Sequence, residues 1–318
     1  MRTLVVGAGS IGGYFGGRLL EANRDVTFLV RPGRAAGLAN SGLRIRSRFG
    51  DSTLLNPPTI LAGNLRESFD LVLLTCKAYD LEGAVASFAP AVGRDTVILP
   101  LLNGMRHLDV LDERFGRHRV FGGQCLIAVS LNDEGEIVHL NETHALSFGE
   151  RDGTMSDRVM DVASLTEGAL FDSHVSVEIL LEMWEKWVFL TSLAAGTCLM
   201  RATVGDICAS TGGTDLLLGL LEECRSVAAA EGYQIREAFL KRTSDMLTTS
   251  GSTLTASMLR DIERTAPIEA DHIIGDLIQR GRHHNLIAGN TSLLSLAYTH
   301  LKTYETRRAR NLNLASSA

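Results

Sequence analysis

The 318-residue chain predicts two domains of different class: an α/β domain on a parallel sheet over residues 1–177, and an all-α domain over 178–318. Two observations predict this. A strand, a glycine-rich turn and a helix open the chain, and short β-rich runs alternate with helical patterns through the first half. After about residue 177 apolar residues recur at helical spacing instead.

The first element, Thr3 to Val6, reads as a buried strand, and a β-rich run from Val26 to Val30 completes a βαβ unit. Between them Gly7, Gly9 and Gly12 form G-x-G-x-x-G, with Ala8, Ser10 and Ile11 in the intervening positions. The first glycine permits a tight turn, the second lets backbone approach a pyrophosphate, and the third lets helix pack on strand; the helix N-terminus attracts phosphate. In this strand–turn–helix context the motif specifies a Rossmann-type dinucleotide site. NAD sites place an acid about 20 residues beyond the glycines to hold the ribose 2′-OH. Here that region reads FLVRPGR, so Arg31 is the candidate for the 2′-phosphate of NADP(H), the alternative being a solvated arginine beside Pro32-Gly33.

Two further strands end in polar residues: Leu71 to Thr75 with Lys77 just beyond, and DTVILP with Asn103-Gly104 beyond. Ligands of open α/β sheets bind outside the carboxyl ends of strands, so Lys77 and Asn103 are candidate contacts; a surface lysine and an ordinary Asn-Gly turn are the alternatives. The stretch RVFGGQCLIAVSLNDEGEIVHLNETHALSFGE predicts antiparallel strands that finish this sheet, with turns at Asp133-Glu134-Gly135 and Asn141-Glu142. His139 and His144 are expected on the sheet surface, and no histidine spacing marks a metal site.

The second half predicts helices broken at Gly212-Gly213, Gly232, Pro267 and Gly281, ending in a fraying helix end and tail, RRARNLNLASSA, with solvated arginines. A net charge of −6 leaves no basic footprint for nucleic acid. Five scattered cysteines read as reduced thiols, and no secretory signal opens the chain, so a cytoplasmic protein is expected. The uncharged run 187–200 is too short to span a bilayer and predicts a core helix. The helical domain has enough apolar face to support a homodimer.

Lys186 stands at the mouth of that run, between Trp184 and Trp187, with Met183, Leu190 and Leu193 at helical spacing. Partial burial weakens an ammonium's hold on its proton and suits it to general-acid work. The alternative is a snorkelling lysine paired with Glu182. The glycine loop, TCKAYD, LLNGM, WEKW and SMLRDIERTAPIEADHI occur in the order and spacing of the ketopantoate reductase family, which this chain resembles over essentially its whole length. The resemblance implies NADPH-dependent reduction of 2-dehydropantoate, with Lys186 as general acid and Glu269 as its catalytic partner. It further implies substrate contacts from Asn103, Lys186 and Ser257, and cofactor contacts from Lys77, Asn103 and the backbone of Ala128. Read from the residues alone, Glu269 also suits a helix start after Pro267, and Ser257 or Thr255 could serve as a cap.

The chain departs from the family pattern at four positions. Asparagines expected four and eight residues after the lysine, three before the serine, and ahead of Gly205-Asp206 are Leu190, Ala194, Leu254 and Val204. Those amides hold substrate hydroxyls and carboxylate, so their loss bears on discrimination. A small 2-oxoacid substrate is implied, ketopantoate first. Reduction of another 2-oxoacid and a non-catalytic NADP sensor are the alternatives.

Overall fold

A computed structural model describes residues 1–287 and 292–316, and its chain divides into two compact units. One comprises Met1–Leu102 and His107–Leu180, the other Asn103–Arg106 and everything from Leu181 onward.

The first unit contains strands β1 (Thr3–Val6), β2 (Val26–Leu29), β3 (Leu43–Arg46), β4 (Ser52–Leu54), β5 (Thr59–Ile60), β6 (Phe69–Leu74), β7 (Val92–Pro100), β8 (Gly122–Leu131), β9 (Ile137–Gly149) and β10 (Asp172–Val175). Its helices are α1 (Ser10–Glu21), α2 (Pro32–Ser41), α3 (Leu81–Phe88), α4 (Arg106–Phe115, whose first residue belongs to the second unit) and α5 (Asp157–Thr166). A parallel sheet runs in the order β5-β2-β1-β6-β7. Its central strands β1 and β6 are apolar and almost wholly buried, as expected for strands covered on both faces.

The antiparallel pair β8 and β9 does not finish that sheet. It forms a second one, in the order β10-β9-β3-β4 with β8 on β9. Helix α1 explains why two sheets are needed. An added Cβ at Gly12 or Gly16 would fall 3.1 or 3.0 Å from Val5, and at Gly16 2.6 Å from Phe28, on the parallel sheet. One residue on, a Cβ at Gly13 would fall 2.4 Å from Ile137, and at Gly17 2.8 Å from Ile45, on the second sheet. Two glycine pairs at i, i+4 therefore let one helix sit closely between two sheets. Phe15, Phe28, Phe121 and Phe148 are completely buried in the resulting core, each contributing about 1.5–3 kcal/mol.

Asn141-Glu142 is not a turn but lies within β9. The register shifts opposite it, between Ile127 and Val129, and the Asn141 side chain satisfies the freed amide. His144 is buried rather than superficial, at hydrogen-bond distance from the Tyr14 hydroxyl (2.8 Å) and stacked on Phe49; His139 is half-buried beside it.

The second unit is helical: α6 (Ile179–Met200, whose first two residues belong to the first unit), α7 (Val204–Ala209), α8 (Gly213–Ala230), α9 (Glu237–Leu247), α10 (Ser257–Glu263), α11 (Asp276–His283) and α12 (Leu293–Ser316). Gly281 does not break a helix. It lies inside α11, where a Cβ would come 2.7 Å from Ile287 and 2.9 Å from Val227, so the glycine serves packing. The expected helix end is present and takes in most of the expected tail, α12 running to Ser316, and Arg308 is not solvated but donates to the Thr265 carbonyl at 2.7 Å. The last two residues of the tail lie outside the described ones. Among the described residues no helix is long and apolar enough to cross a membrane, and no group of three His, Cys, Asp or Glu is gathered to hold a metal.

Candidate active site

In the first unit the glycine loop leaves β1 at its carboxyl end. Gly7 has φ +95°, a conformation that L side chains rarely adopt, and turns the chain toward α1. At Gly12 an added Cβ would lie 2.1 Å from the Gly7 carbonyl oxygen and 2.2 Å from Thr75 Oγ1. That hydroxyl donates to the Val6 carbonyl at 2.9 Å and stitches the loop to the end of β6. Around Gly9, by contrast, a Cβ would meet nothing within 4 Å. Helix α1 starts there with no side-chain cap and no acid in its first turn. Open space above Gly9 and uncapped amides beyond it are what a pyrophosphate requires, so the loop from Gly7 through Ala8, Gly9, Ser10 and Ile11 to Gly12 fits a dinucleotide.

Because β2, β1 and β6 are adjacent and parallel, Arg31, the glycine loop and Lys77 share one sheet edge. Arg31 precedes α2, is largely exposed, and ion-pairs with Asp80 at 2.7 Å. The carboxylate holds its guanidinium more firmly protonated, through a side-chain hydrogen bond first and its charge second. Lys77 is exposed and leads into the short turn Ala78–Asp80. Arg34 is committed elsewhere, donating to the carbonyls of Ala8 at 2.8 Å and Gly135 at 3.2 Å. Ala128 lies on β8 opposite the β9 bulge, where its amide donates to Asn141 Oδ1 at 2.8 Å.

In the second unit Lys186 is half-buried on α6, in sequence between Trp184 and Trp187, whose buried indoles pack on one another. The neighbouring carboxylate, Glu185, is turned inward and held by Arg236, whose backbone amide (3.1 Å) and Nε (2.8 Å) both donate to it. Glu269 stands immediately ahead of a helical turn; its carbonyl accepts from Ile273 N–H at 3.0 Å. That turn, Asp271–Gly275, is π-helical and closes with Asp276 N–H on the Asp271 carbonyl. Pro267 therefore sits upstream of the helix and not in its first turn.

The π turn joins three candidate residues. Trp187 Nε1 and Thr191 Oγ1 both reach the Ile273 carbonyl, at 2.9 and 3.3 Å, which seats the turn after Glu269 beside Lys186. His272 packs against the Asn103-Gly104 turn: a Cβ at Gly104 would lie 3.0 Å from its Cδ2, and Gly104 has φ +80°. The segments bearing Lys186, Glu269 and Asn103 are thus joined through this turn. Ser257 is the outlier of the set. It is exposed in the first turn of α10, and neither it nor Thr255 is the cap, a position taken by Ala256. Ala256 N–H donates to Thr197 Oγ1 at 3.3 Å, anchoring Ser257's segment to α6 about 16 Å along the helix axis from Lys186.

The four departures fall into two apolar pairs. Leu190 and Ala194 follow Lys186 at i+4 and i+8 on one helix face. Val204 and Leu254 are brought together, the Val204 amide donating to the Leu254 carbonyl at 3.0 Å.

The sequence pattern does not single out Thr75, Asp80 or His272. Thr75 and Asp80 flank Lys77 in TCKAYD, and His272 follows Glu269 by three, but their partners are remote in sequence and only the fold reveals them.

Comparison with known proteins places this geometry. Residues 3–153 match the model described as ketopantoate reductase PanE/ApbA, and residues 178–305 match that of its C-terminal domain. An uncharacterized oxidoreductase of Bacillus subtilis, YkpB, is 35% identical over 97% of this chain and 100% of its own. The crystal structure of 2-dehydropantoate 2-reductase from Geobacter metallireducens superposes with a TM-score of 0.85 at 27% identity, covering 95% of this chain and 99% of that one. D-mandelate dehydrogenase with NADH and anilino(oxo)acetate shares the fold, with a TM-score of 0.86 at 17% identity over 97% of this chain and 100% of that one. A dinucleotide loop, a lysine-bearing core helix and a match across both parts of the chain together make this protein a member of the ketopantoate reductase family of oxidoreductases.

Proposed function

We propose that this protein reduces a 2-oxoacid to its 2-hydroxyacid with NADPH, ketopantoate being the first candidate substrate. The observation that carries the reading is that the segments bearing Lys186, Glu269 and Asn103 all meet one π-helical turn. The dinucleotide, when bound in the glycine cradle, supplies the hydride. Lys186 holds the ketone oxygen as negative charge develops on it and gives that oxygen a proton. Glu269 orients the lysine and the new hydroxyl. Arg31, with no acid in the usual ribose-binding position, favours NADPH over NADH.

A second reading, a less hydroxylated 2-oxoacid, is favoured by Leu190, Ala194, Val204 and Leu254. An apolar wall gains little from a hydroxyl that it cannot hydrogen-bond. The deciding experiment compares kcat/KM for ketopantoate, trimethylpyruvate (ketopantoate with its hydroxyl replaced by hydrogen) and phenylglyoxylate, each with NADPH. A clear preference for ketopantoate supports the first reading, and a preference for either apolar acid supports the second. Tight NADPH binding with no turnover of any acid would leave an NADP-binding sensor instead.

A further inference from the structure

His272 has no part in the proposed chemistry, yet it is buried on the turn that joins the segments bearing Lys186, Glu269 and Asn103. It lies on the π turn three residues after Glu269. Its ring edge and its carbonyl are the atoms nearest to Gly104, both 3.0 Å from where a Cβ would be. The ring is hydrogen-bonded to the Asn103 backbone in a way that favours the protonated form, so the ring donates and the carbonyl accepts. The turn carrying it is fixed from two other sides. Trp187 and Thr191 hold the Ile273 carbonyl from α6, and Tyr298 packs on Gly275 from α12. Asp271 next to it is engaged by the Tyr298 hydroxyl at 2.6 Å and by Lys302. A π turn is an uncommon, costly arrangement that tends to occur at functional sites.

We propose that His272 is a positioning residue for this enzyme: its neutral ring clamps the Asn103-Gly104 turn to the segment bearing Glu269, and so fixes Asn103 relative to Lys186. The inference deepens the reductase reading and rests on it for its link to turnover. Burial acts most strongly on the ring and keeps it neutral to lower pH than usual; Arg106 acts in the same direction, while Glu269 and the Asn103 carbonyl oppose. Protonation places a second donor and a charge in a buried site next to Arg106. The bond to the Asn103 carbonyl itself survives protonation; what becomes unfavourable as pH falls is the burial of the charged ring beside Arg106, and with it the seating of the clamp.

The test uses the full-length protein and two variants, His272→Gln, which can still donate to the carbonyl but does not titrate, and His272→Leu, which can do neither. Amide hydrogen exchange of the peptide spanning residues 101–106 reads the clamp directly, whether or not the enzyme turns anything over. Exchange should speed in His272→Leu and stay near wild type in His272→Gln, with both proteins folded by circular dichroism. With a turned-over 2-oxoacid, kcat in His272→Leu should fall about 100-fold, the scale of a misplaced catalytic group. His272→Gln should recover most of that and lose the acid limb of the wild-type pH profile. Unchanged exchange in His272→Leu overturns the clamp. Faster exchange with undiminished kcat, or an acid limb persisting in His272→Gln, overturns the positioning role. Faster exchange in a protein that reduces no 2-oxoacid leaves the clamp standing and removes the reductase reading instead.

Discussion

Trp187 donates its indole Nε1 to the Ile273 carbonyl at 2.9 Å, across 86 residues of sequence. Through that bond the helix carrying Lys186 holds the turn following Glu269, and Thr191 one turn further along adds a second donor to the same oxygen. Removing the indole should disturb both candidates together. Trp187→Phe keeps most of the buried ring but leaves the carbonyl one donor short. We expect it to cost about 1–2 kcal/mol of stability, with a fall in kcat greater than any change in NADPH affinity. Urea unfolding and steady-state kinetics on the same preparation check this.

Two glycines, one just ahead of the opening helix and one within it, should respond in opposite ways. Gly16→Ala drives a methyl into Phe28 and should destabilise the protein by about 1–3 kcal/mol. Gly9→Ala meets only open space, so its melting temperature should match wild type while dinucleotide affinity drops. Thermal melts paired with NADPH fluorescence titration distinguish the two effects.

Asp80 already holds the guanidinium that a 2′-phosphate would need. Arg31→Ala should weaken NADPH binding about tenfold, with NADH affected much less. Asp80→Asn should tighten NADPH binding by no more than about fivefold, because an exposed ion pair is worth only ~0–1 kcal/mol. Equal losses for both cofactors in Arg31→Ala would assign Arg31 to the solvated role.

His144 should make stability sensitive to acid. Burial, with help from His139 and Arg18, holds its imidazole below the ordinary 6.5, against a smaller opposing effect from Asp172. A depressed folded value means that the unfolded chain takes up the proton first. The associated stability is therefore complete above 6.5 and is lost as pH falls through the folded value. His272 and His300 are depressed in the same direction and add to the slope. His144→Phe gives up the Tyr14 hydrogen bond, about 1 kcal/mol, yet should show a smaller drop in urea midpoint between about pH 8 and pH 5 than wild type.

The sequence reveals most clearly what local spacing controls. The βαβ unit with its glycine loop, Lys186 on an apolar helix, and the change to helical periodicity all follow from residues near one another in the chain. What it conceals depends on remote partners. Nothing local in β8 and β9 says that they build a second sheet, because the reason is the second glycine face of α1 more than 100 residues earlier. Asn141-Glu142 has turn chemistry but serves a bulge, and Gly281 has breaker chemistry but serves a close contact. At the site, Lys186, Glu269 and Asn103 could be named from motifs. Their meeting point, the π turn with His272, could not, since a π turn leaves no signature in hydrophobic periodicity.

The measurement that bears most directly on the central claim is the turnover of NADPH with saturating 2-oxoacid by wild type and Lys186→Ala. If the lysine holds and protonates the ketone oxygen, kcat should fall by about 100-fold or more while NADPH affinity stays within about twofold. A variant that keeps turning over within a few-fold of wild type would show that Lys186 is a snorkelling surface lysine and that the proton comes from elsewhere.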